Sequence, residues 1–467
     1  MALRKILVAN RGEIAVRIVR AARDLGIATV QAASAADRTM LAVQLADEMV
    51  EIGPPQASKS YLSHSALLRA AQASGADAIH PGYGFLSESA DFAEAVTPAG
   101  LVFIGPFASS LRRMGDKAAA RATAAGGVAT VPGSKDRVPD LHAALSIAPD
   151  LGFPVMIKAS AGGGGRGIRV AADAAELTRL FPEASAEAAA AFGDGGLYLE
   201  RFIPQARHIE VQVLGDGTDV IHLFERECSL QRRRQKIWEE APASCLSAAQ
   251  REALCASAVR LARAVSYRGA GTLEFLFDEA AGAFYFIEMN ARIQVEHPVT
   301  EMVTGIDLVR ETICIAGGDA LSVQQDAVRL HGHALECRIN AEDPCRNFRP
   351  APGTVAALRV PGGPGVRFDT MLFPGCEVPP FYDSLLGKVI AWDLTRGQAL
   401  ARMQGALAEL QIEGLPTTVA LHRALARNPD VVAGRVHTAW LEGWLAGSPL
   451  GDAGEPKLDD AGERRTA

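Results

Sequence analysis

Several features that define whole classes of proteins are missing from this chain of 467 residues. No apolar run is long enough to cross a bilayer, so no membrane segment is predicted. The 7 cysteines are scattered without a Cys-x-x-Cys pair, which indicates reduced thiols. A formal net charge of −7 disfavours a general nucleic-acid binder. Since Met1 leads directly into a strand without a signal peptide, we expect a soluble cytoplasmic protein.

Two common nucleotide-binding motifs are also absent. The N-terminal part alternates strands and helices, which predicts an open parallel sheet of Rossmann-like type. Its first turn, residues 10–13, nevertheless lacks the Gly-x-Gly-x-x-Gly pattern of dinucleotide sites. The glycine run at 162–165 is not followed by Gly-Lys-Ser/Thr, so it is not a Walker A loop. The predicted N-terminal elements are 5–9, 13–25, 28–33, 65–73, 78–79, 92–96 and 101–104.

An acidic β-hairpin at residues 271–290 is the first feature that suggests chemistry. Glu274 and Glu288 are predicted to face each other across the two strands, at about 5 Å. Period-two alternation predicts that Phe286, Glu288 and Asn290 share one face. Facing carboxylates repel unless a cation lies between them, and their oxygens suit Mg²⁺. The alternative is a half-polar edge strand whose charges face water.

Three polar residues continue the same parity beyond the hairpin. Arg292 offers a guanidinium for an anion, Gln294 an amide and Glu296 a carboxylate base. A metal site, followed in a row by a cation and then a base, is an arrangement suited to phosphoryl transfer onto a small oxyanion.

Glycine-rich and basic segments supply further candidates for anion binding. A strand that ends at Lys158 precedes the glycines, whose N–H groups can surround phosphate oxygens in a hairpin lid. The basic run 231–236, together with Arg338, predicts an internal anion site in this acidic chain. The loop 80–88 follows a strand end, where parallel sheets bind ligands. The alternative for the glycine run is a flexible connector. For the basic run it is a solvated or nucleic-acid-binding patch, and for the loop 80–88 it is a plain turn.

These segments together resemble the biotin carboxylases, which are ATP-grasp enzymes. The segments that carry the resemblance are 10–15, 80–88, 114–117, 158–167, 231–242, 288–298, 336–344 and 379–384. The family's residues differ at three positions, with His, Thr and Gly usual where this chain has Arg234, Ala291 and Ala161. These differences suggest a paralogue with a less common acyl partner.

The resemblance implies a fold of mixed α/β and α+β class in three domains. It implies a Rossmann-like N-terminal domain at 1–114 and an ATP-grasp domain at 115–330. A mobile lid would occupy about 132–203. A mixed, β-rich C-terminal domain at 331–447 and a flexible tail at 448–467 would complete the chain.

The resemblance also implies ligand contacts. ATP would contact Lys117, Lys158, Gly164, Gly165, Glu200, Arg201, Phe202, Ile203, His208, Arg234 and Leu276. Mg²⁺ or Mn²⁺, in two sites, would be held by Glu274, Glu288 and Asn290. Bicarbonate would contact Lys236, Arg292, Gln294, Val295 and Glu296.

Biotin and the catalytic groups follow from the same resemblance. Biotin would lie near Tyr83, Gly84, Arg338 and Asp383. The catalytic residues would be Glu296, Arg338, Arg292 and Lys236. Glu296 would act as the general base, and Arg338 would stabilise the biotin enolate.

The implied activity is ATP-dependent carboxylation of biotin, the first half-reaction of an acetyl-CoA or other acyl-CoA carboxylase. No Met-Lys-Met occurs in the chain, so biotin is expected on a separate biotin carboxyl carrier protein. A carboxyltransferase subunit and a homodimer are the other expected partners, with no nucleic acid or membrane. The alternatives are another ATP-grasp ligase and a regulatory homologue that only binds nucleotide.

Overall fold

The computed structural model describes residues 3–115, 128–134, 136–160 and 168–447. Lys117, Ala161, Gly164 and Gly165 lie outside the described residues, as does the predicted tail at 448–467. Within the described parts of the chain, no helix is both long and apolar enough to span a membrane.

The N-terminal part forms a five-stranded parallel sheet with strand order β3-β2-β1-β4-β5. Its elements are β1 Lys5–Val8, α1 Gly12–Asp24, β2 Ala28–Ser34, α2 Leu41–Leu45, β3 Glu48–Gly53, α3 His64–Ser74, β4 Ala78–His80, α4 Ala90–Val96, β5 Val102–Phe103 and α5 Ala108–Gly115. A 3₁₀ turn covers Ala57–Lys59. The Rossmann-like prediction is confirmed. The edge strand β3 is not predicted by the sequence pattern, because several of its side chains are exposed and polar.

A smaller unit follows, in which a three-stranded antiparallel sheet packs against two helices. Its elements are α6 Leu141–Leu151, β6 Val155–Ala159, β7 Ile168–Ala171, α7 Ala174–Phe192 and β8 Leu197–Arg201. Asp140 and Asp173 cap the helices by accepting from backbone N–H groups. This unit has its own hydrophobic cluster. The two helices are not predicted from the sequence.

The remaining chain supplies the main sheet and the C-terminal region. Its central elements are β9 Arg207–Asp216, β10 Val220–Arg232, β11 Gln235–Ala241, α8 Ala248–Arg263, β12 Arg268–Asp278, β13 Ala283–Asn290, α9 His297–Thr304 and α10 Leu308–Gly317. The later strands are β14 His333–Asn340, β15 Glu342–Asp343, β16 Arg349–Pro350, β17 Gly353–Thr354, β18 Ala357–Arg359, β19 Val366–Thr370, β20 Glu377–Val378, β21 Leu385–Asp393 and β22 Gln411–Glu413. The later helices are α11 Arg396–Glu409, α12 Val419–Leu425, α13 Pro429–Val432 and α14 Trp440–Gly447, with 3₁₀ turns at Gln325–Ala327 and Pro344–Arg346.

One antiparallel sheet joins the central and C-terminal regions. Its eight strands lie in the order β13-β12-β9-β10-β11-β14-β21-β19. Strand β14 pairs with β11 on one side and with β21 on the other. The sheet therefore continues across the predicted domain boundary at 330/331, and it carries strand-borne side chains of both regions into one site.

Candidate active site

The acidic hairpin has the predicted register and one unpredicted irregularity. Glu274 lies opposite Glu288, but the next pair is Phe275 with Phe286, so Ile287 is an extra residue in β13. Phe286 consequently turns into the core, where its ring centroid lies 5.8 Å from that of Phe275. The prediction that Phe286 shares the face of Glu288 is wrong, because a β-bulge reverses the alternation at that point.

The residues beyond the hairpin reach the site from a loop. Strand β13 ends at Asn290, so the predicted continuation of strand parity is wrong. The side chains converge all the same. Gln294 Nε2 and Asn290 Nδ2 each donate to Glu274 Oε1 at 2.8 Å. Arg292 Nη2 donates to Asn290 Oδ1 at 2.9 Å and its Nε to Glu88 Oε2 at 3.0 Å.

Lys236 is the centre of the charge cluster. Its ammonium lies 2.5 Å from Glu210 Oε2, 2.7 Å from Glu274 Oε1 and 2.8 Å from Glu296 Oε1. Burial acts to lower the pKa of Lys236, but these carboxylates raise it well above its usual value. Lys236 is therefore a fixed cation at the point where an anionic substrate would meet Glu274 and Glu296.

Glu296 connects this cluster to Arg338. One carboxylate oxygen contacts Lys236 and the other accepts from Arg338 Nη2 at 2.8 Å. Burial acts to raise the pKa of Glu296, yet the two cations lower it below its usual value. Glu296 is thus held in the ionised form that a general base requires.

A second carboxylate, which the sequence does not predict, orients Arg338 from behind. Arg338 Nε donates to Glu239 Oε1 at 2.6 Å. Burial raises the pKa of Glu239 to about 7, against the opposing effect of Arg338. The guanidinium plane is therefore fixed between Glu239 and Glu296.

A fully buried arginine supports the cluster from inside the sheet. Arg226 donates to acceptors on β9, on β12, on α9 and on the loop after β13, at 2.6 to 3.1 Å. These acceptors belong to Glu210, Gln212, Thr272, Gln294 and Thr300. Neither Arg226 nor Glu210 is a predicted site residue. The alternating polar residues of strand β9 are the signal that would have revealed Glu210.

Within the described residues, the predicted ATP contacts lie on the main sheet and on the smaller unit of β6 to β8, which we call the lid unit because it falls within the predicted lid. Lys158 of β6 forms an ion pair with Glu200 of the adjacent strand β8. Arg201, Phe202 and Ile203 follow Glu200 at the end of β8, with Arg201 exposed and Ile203 buried. In the main sheet, Leu276 pairs with His208.

His208 also belongs to a group of possible metal ligands. Its Nε2 lies 3.3 Å from Glu274 Oε2, and atoms of His208, Glu210 and Glu274 all lie within 4.8 Å of one another. Burial acts to lower the pKa of His208, but Glu274 raises it to about 9. Glu274, Glu288 and Asn290 present hard oxygen donors from facing strands, a set that fits Mg²⁺ or Mn²⁺.

Arg234 occupies the turn between β10 and β11. Its backbone φ is +65°, and that of Arg233 is +47°, which are left-handed values. The N–H of Arg233 donates to Glu442 Oε1 of α14 at 2.7 Å. Burial lowers the pKa of Arg234, although Glu442 opposes this shift. Arg234, one of the three residues that depart from the family pattern, therefore lies in a turn adjacent to the C-terminal helix.

The predicted biotin contacts come from three separate parts of the chain. The Tyr83 hydroxyl donates to the Glu13 carboxylate. Burial and Glu13 raise the pKa of Tyr83 well above its usual value, and Arg338 and Asp383 both lie close enough to influence it. Gly84 has a φ of +67° and open space around it. Arg338 and Asp383 therefore lie in the electrostatic surroundings of Tyr83, and their role in binding biotin stays a prediction.

Comparisons with known proteins agree with this geometry. Residues 2–111 match the family model "Biotin carboxylase, N-terminal domain", and residues 336–443 match "Biotin carboxylase C-terminal domain". Residues 116–324 match "Carbamoyl-phosphate synthase L chain, ATP binding domain". A Nostoc biotin carboxylase is 53% identical over 440 residues, which cover 94% of this chain and 98% of that protein. The chain belongs to the biotin carboxylase family.

Other members of the family give the same result. Biotin carboxylase 1 of Bacillus subtilis is 50% identical over 94% of this chain and 98% of its own. The crystal structure of a Campylobacter jejuni biotin carboxylase complex has a TM-score of 0.91 and 43% identity, covering 95% of this chain and 99% of that one. The biotin carboxylase domain of Hydrogenobacter thermophilus 2-oxoglutarate carboxylase has a TM-score of 0.89 and 45% identity, covering 95% and 98%. The predicted family and fold class are confirmed.

Proposed function

We propose that this protein catalyses the ATP-dependent carboxylation of biotin by bicarbonate, through carboxyphosphate. The observation that supports this best is the Glu296 carboxylate, which bridges Lys236 and Arg338 at 2.8 Å each. One ionised base thereby faces both the anion-binding cluster and the predicted biotin site. Among its relatives, the Hydrogenobacter domain is a dimer in complex with MgADP, ADP and bicarbonate.

ATP binds between the lid unit and the main sheet in this proposal. Lys158 and His208 contact phosphates, with Lys117, Gly164 and Gly165 as the other predicted phosphate contacts. Glu200, Arg201, Phe202, Ile203, Arg234 and Leu276 complete the predicted nucleotide site. Glu274, Glu288 and Asn290 would hold Mg²⁺ or Mn²⁺, which would neutralise phosphate charge.

Bicarbonate lies against Lys236, Arg292, Gln294 and the Val295 backbone. Glu296 removes its proton as a bicarbonate oxygen attacks the γ-phosphorus, and the bond to the β–γ bridging oxygen breaks to release ADP. The cations stabilise the charge that develops on the transferred group. Carboxyphosphate must be shielded from water, which would hydrolyse it, and a closed lid provides this shield.

Biotin receives the carboxyl group on the other side of Glu296. Carboxyphosphate separates into CO₂ and phosphate, and the phosphate takes the proton from biotin N1. Arg338 stabilises the resulting enolate oxygen and stays protonated while it does so. The nitrogen then bonds to CO₂, which gives carboxybiotin. Tyr83, Gly84 and Asp383 border this end of the site.

The partners follow from the family. We propose that biotin is presented on a biotin carboxyl carrier protein and that a carboxyltransferase subunit uses the carboxybiotin. A homodimer in the cytoplasm is the proposed state. Acetyl-CoA or another acyl-CoA is the proposed final acceptor.

The decisive experiment measures ATP hydrolysis with purified protein, with and without bicarbonate, and then with added free biotin. The proposal expects ADP only when bicarbonate is present, and more ADP when biotin is added. Carboxybiotin should form from labelled bicarbonate. Nucleotide binding without bicarbonate-dependent hydrolysis would instead indicate a regulatory homologue.

A further inference from the structure

A buried ion pair lies beneath the site and joins the N-terminal and C-terminal regions. Lys388 Nζ of β21 lies 3.2 Å from Glu13 Oε1 of α1. The two side chains are only 0% and 1% exposed. Glu13 stands in the first turn of its helix, where the adjoining residues Gly12, Ile14 and Ala15 are also buried.

Each member of this pair contacts a predicted substrate-binding residue. Lys388 Nζ donates to the backbone carbonyl of Val295 at 2.7 Å. Glu13 Oε1 accepts from the Tyr83 hydroxyl. Lys388 also lies directly opposite Arg338 in the ladder of β14 and β21. The pair therefore connects the bicarbonate loop to a residue of the predicted biotin site.

Fold stability alone is a weak explanation for such a pair. Removing two charges from water costs about as much free energy as their attraction returns, so apolar residues of similar volume would serve the core as well. Glu13 Oε2, moreover, is buried without a hydrogen-bond partner. The pair is better explained by the two groups whose positions it fixes.

We propose that Lys388 and Glu13 are positioning residues of the carboxylation reaction. Lys388 holds the Val295 carbonyl, and with it the loop that carries Arg292, Gln294 and Glu296. Glu13 holds the Tyr83 hydroxyl by the same carboxylate oxygen that receives Lys388. The bicarbonate and biotin contacts consequently share one rigid support. This inference rests on the proposed function.

The test compares Lys388→Met with the double variant Lys388→Met/Glu13→Gln. The single variant leaves the buried carboxyl group of Glu13 without its cation, so its melting temperature should fall. The double variant removes both charges and should recover most of that loss. Its KM for bicarbonate should nevertheless stay raised by about tenfold, because the Val295 carbonyl has lost its donor.

Arg251→Met is the matched control. Arg251 of α8 pairs with buried Glu225 at 2.6 Å and also donates to the Ala243 carbonyl. Losing this pair should lower the melting temperature without changing KM for bicarbonate or biotin. A double variant of Lys388 and Glu13 that regains both stability and a wild-type KM for bicarbonate would overturn the inference alone. A wild-type protein without bicarbonate-dependent ATP cleavage would overturn the proposed function, and this inference with it.

Lys388→Arg decides the question if the double variant does not fold. The cation beside Glu13 is kept, which preserves the ion pair, but a planar guanidinium cannot occupy the position of the ammonium. A raised KM for bicarbonate in this folded variant supports the positioning role. A KM equal to that of the wild type contradicts it.

Discussion

The two halves of the site are constructed differently. On the bicarbonate side, Lys236, Glu274 and Glu210 stand on strands of one antiparallel sheet. On the biotin side, Tyr83 comes from an N-terminal loop and Asp383 from a C-terminal loop. Strand geometry fixes these three residues of the first half, and a loop adds Glu296. The second half depends on contacts between distant parts of the chain. Activity at the first half should therefore fall when a chemical group is removed. Activity at the second half should also fall when a supporting contact is removed.

Glu296 belongs to both halves, so its substitution should have the largest effect. We expect Glu296→Gln to reduce bicarbonate-dependent ATP cleavage by roughly 10²- to 10⁴-fold, because the general base is lost. Nucleotide binding should survive, since Glu296 contacts Lys236 and Arg338 instead of the lid unit. Steady-state ADP release and nucleotide titration measure the two properties. Turnover near the wild-type rate would remove Glu296 from the mechanism.

Arg338→Lys should affect carboxybiotin formation and ATP cleavage to different extents. Lysine cannot reproduce the planar contacts to both Glu239 and Glu296. We expect carboxybiotin formation to fall by about 10²-fold, with a much smaller loss of bicarbonate-dependent ATP cleavage. Parallel assays of ADP and of labelled carboxybiotin provide the comparison. Equal losses in both assays would place Arg338 in the nucleotide site instead.

The variant Glu239→Gln tests the carboxyl group that orients Arg338, by the pH dependence of the melting temperature. The pKa of Glu239 is about 7 in the folded protein, above the ordinary value of 4.5, because the carboxyl group is buried. Its protonated form therefore contributes stability below about pH 4.5, and this contribution is lost as the pH rises through about 7. Glutamine does not ionise. The melting temperature of Glu239→Gln, relative to wild type, should therefore rise between about pH 5.5 and about pH 8.5.

Glu409→Gln serves as the control for this measurement. Glu409 is an exposed residue at the end of α11. Its substitution should give the same difference from wild type at both pH values. A Glu239→Gln variant with an equally flat profile would mean that Glu239 is ionised throughout this range.

Arg234→His should have the smallest effect. It restores the residue usual in the family at an exposed turn, outside the charge cluster. We expect turnover with free biotin to be retained or improved, as measured by biotin-stimulated ADP release. A large loss would show that the turn, with Glu442, forms a distinct local network.

The sequence predicts the bicarbonate half better than the biotin half for a physical reason. Alternation in β12 and β13 is local, and it correctly places Glu274 opposite Glu288. It does not reveal the extra residue Ile287, since a bulge leaves no mark in the pattern. The position of Glu296 was predicted through strand parity, although a loop carries it there.

The supporting residues could not be predicted in this way. Arg226 has acceptors as far apart in sequence as Glu210 and Thr300, and Lys388 meets Glu13 from the other end of the chain. A lone buried charge has no periodic signature, so only the tertiary fold reveals its partners. The residues indicated a ligand loop at 80–88 and an anion site at Arg338, but only the family resemblance predicted that these contacts bind biotin.

The continuous main sheet has a consequence for the timing of the reaction. Lys236 and Arg338 stand on the neighbouring strands β11 and β14, whose spacing is about 4.8 Å. The lid unit has a separate core, so its displacement does not disturb this ladder. In the proposed mechanism, nucleotide exchange at the lid unit would therefore leave the spacing between these two strands unchanged. The proposed path of CO₂ from one strand to the next would then keep the same length while ATP is admitted or ADP is released.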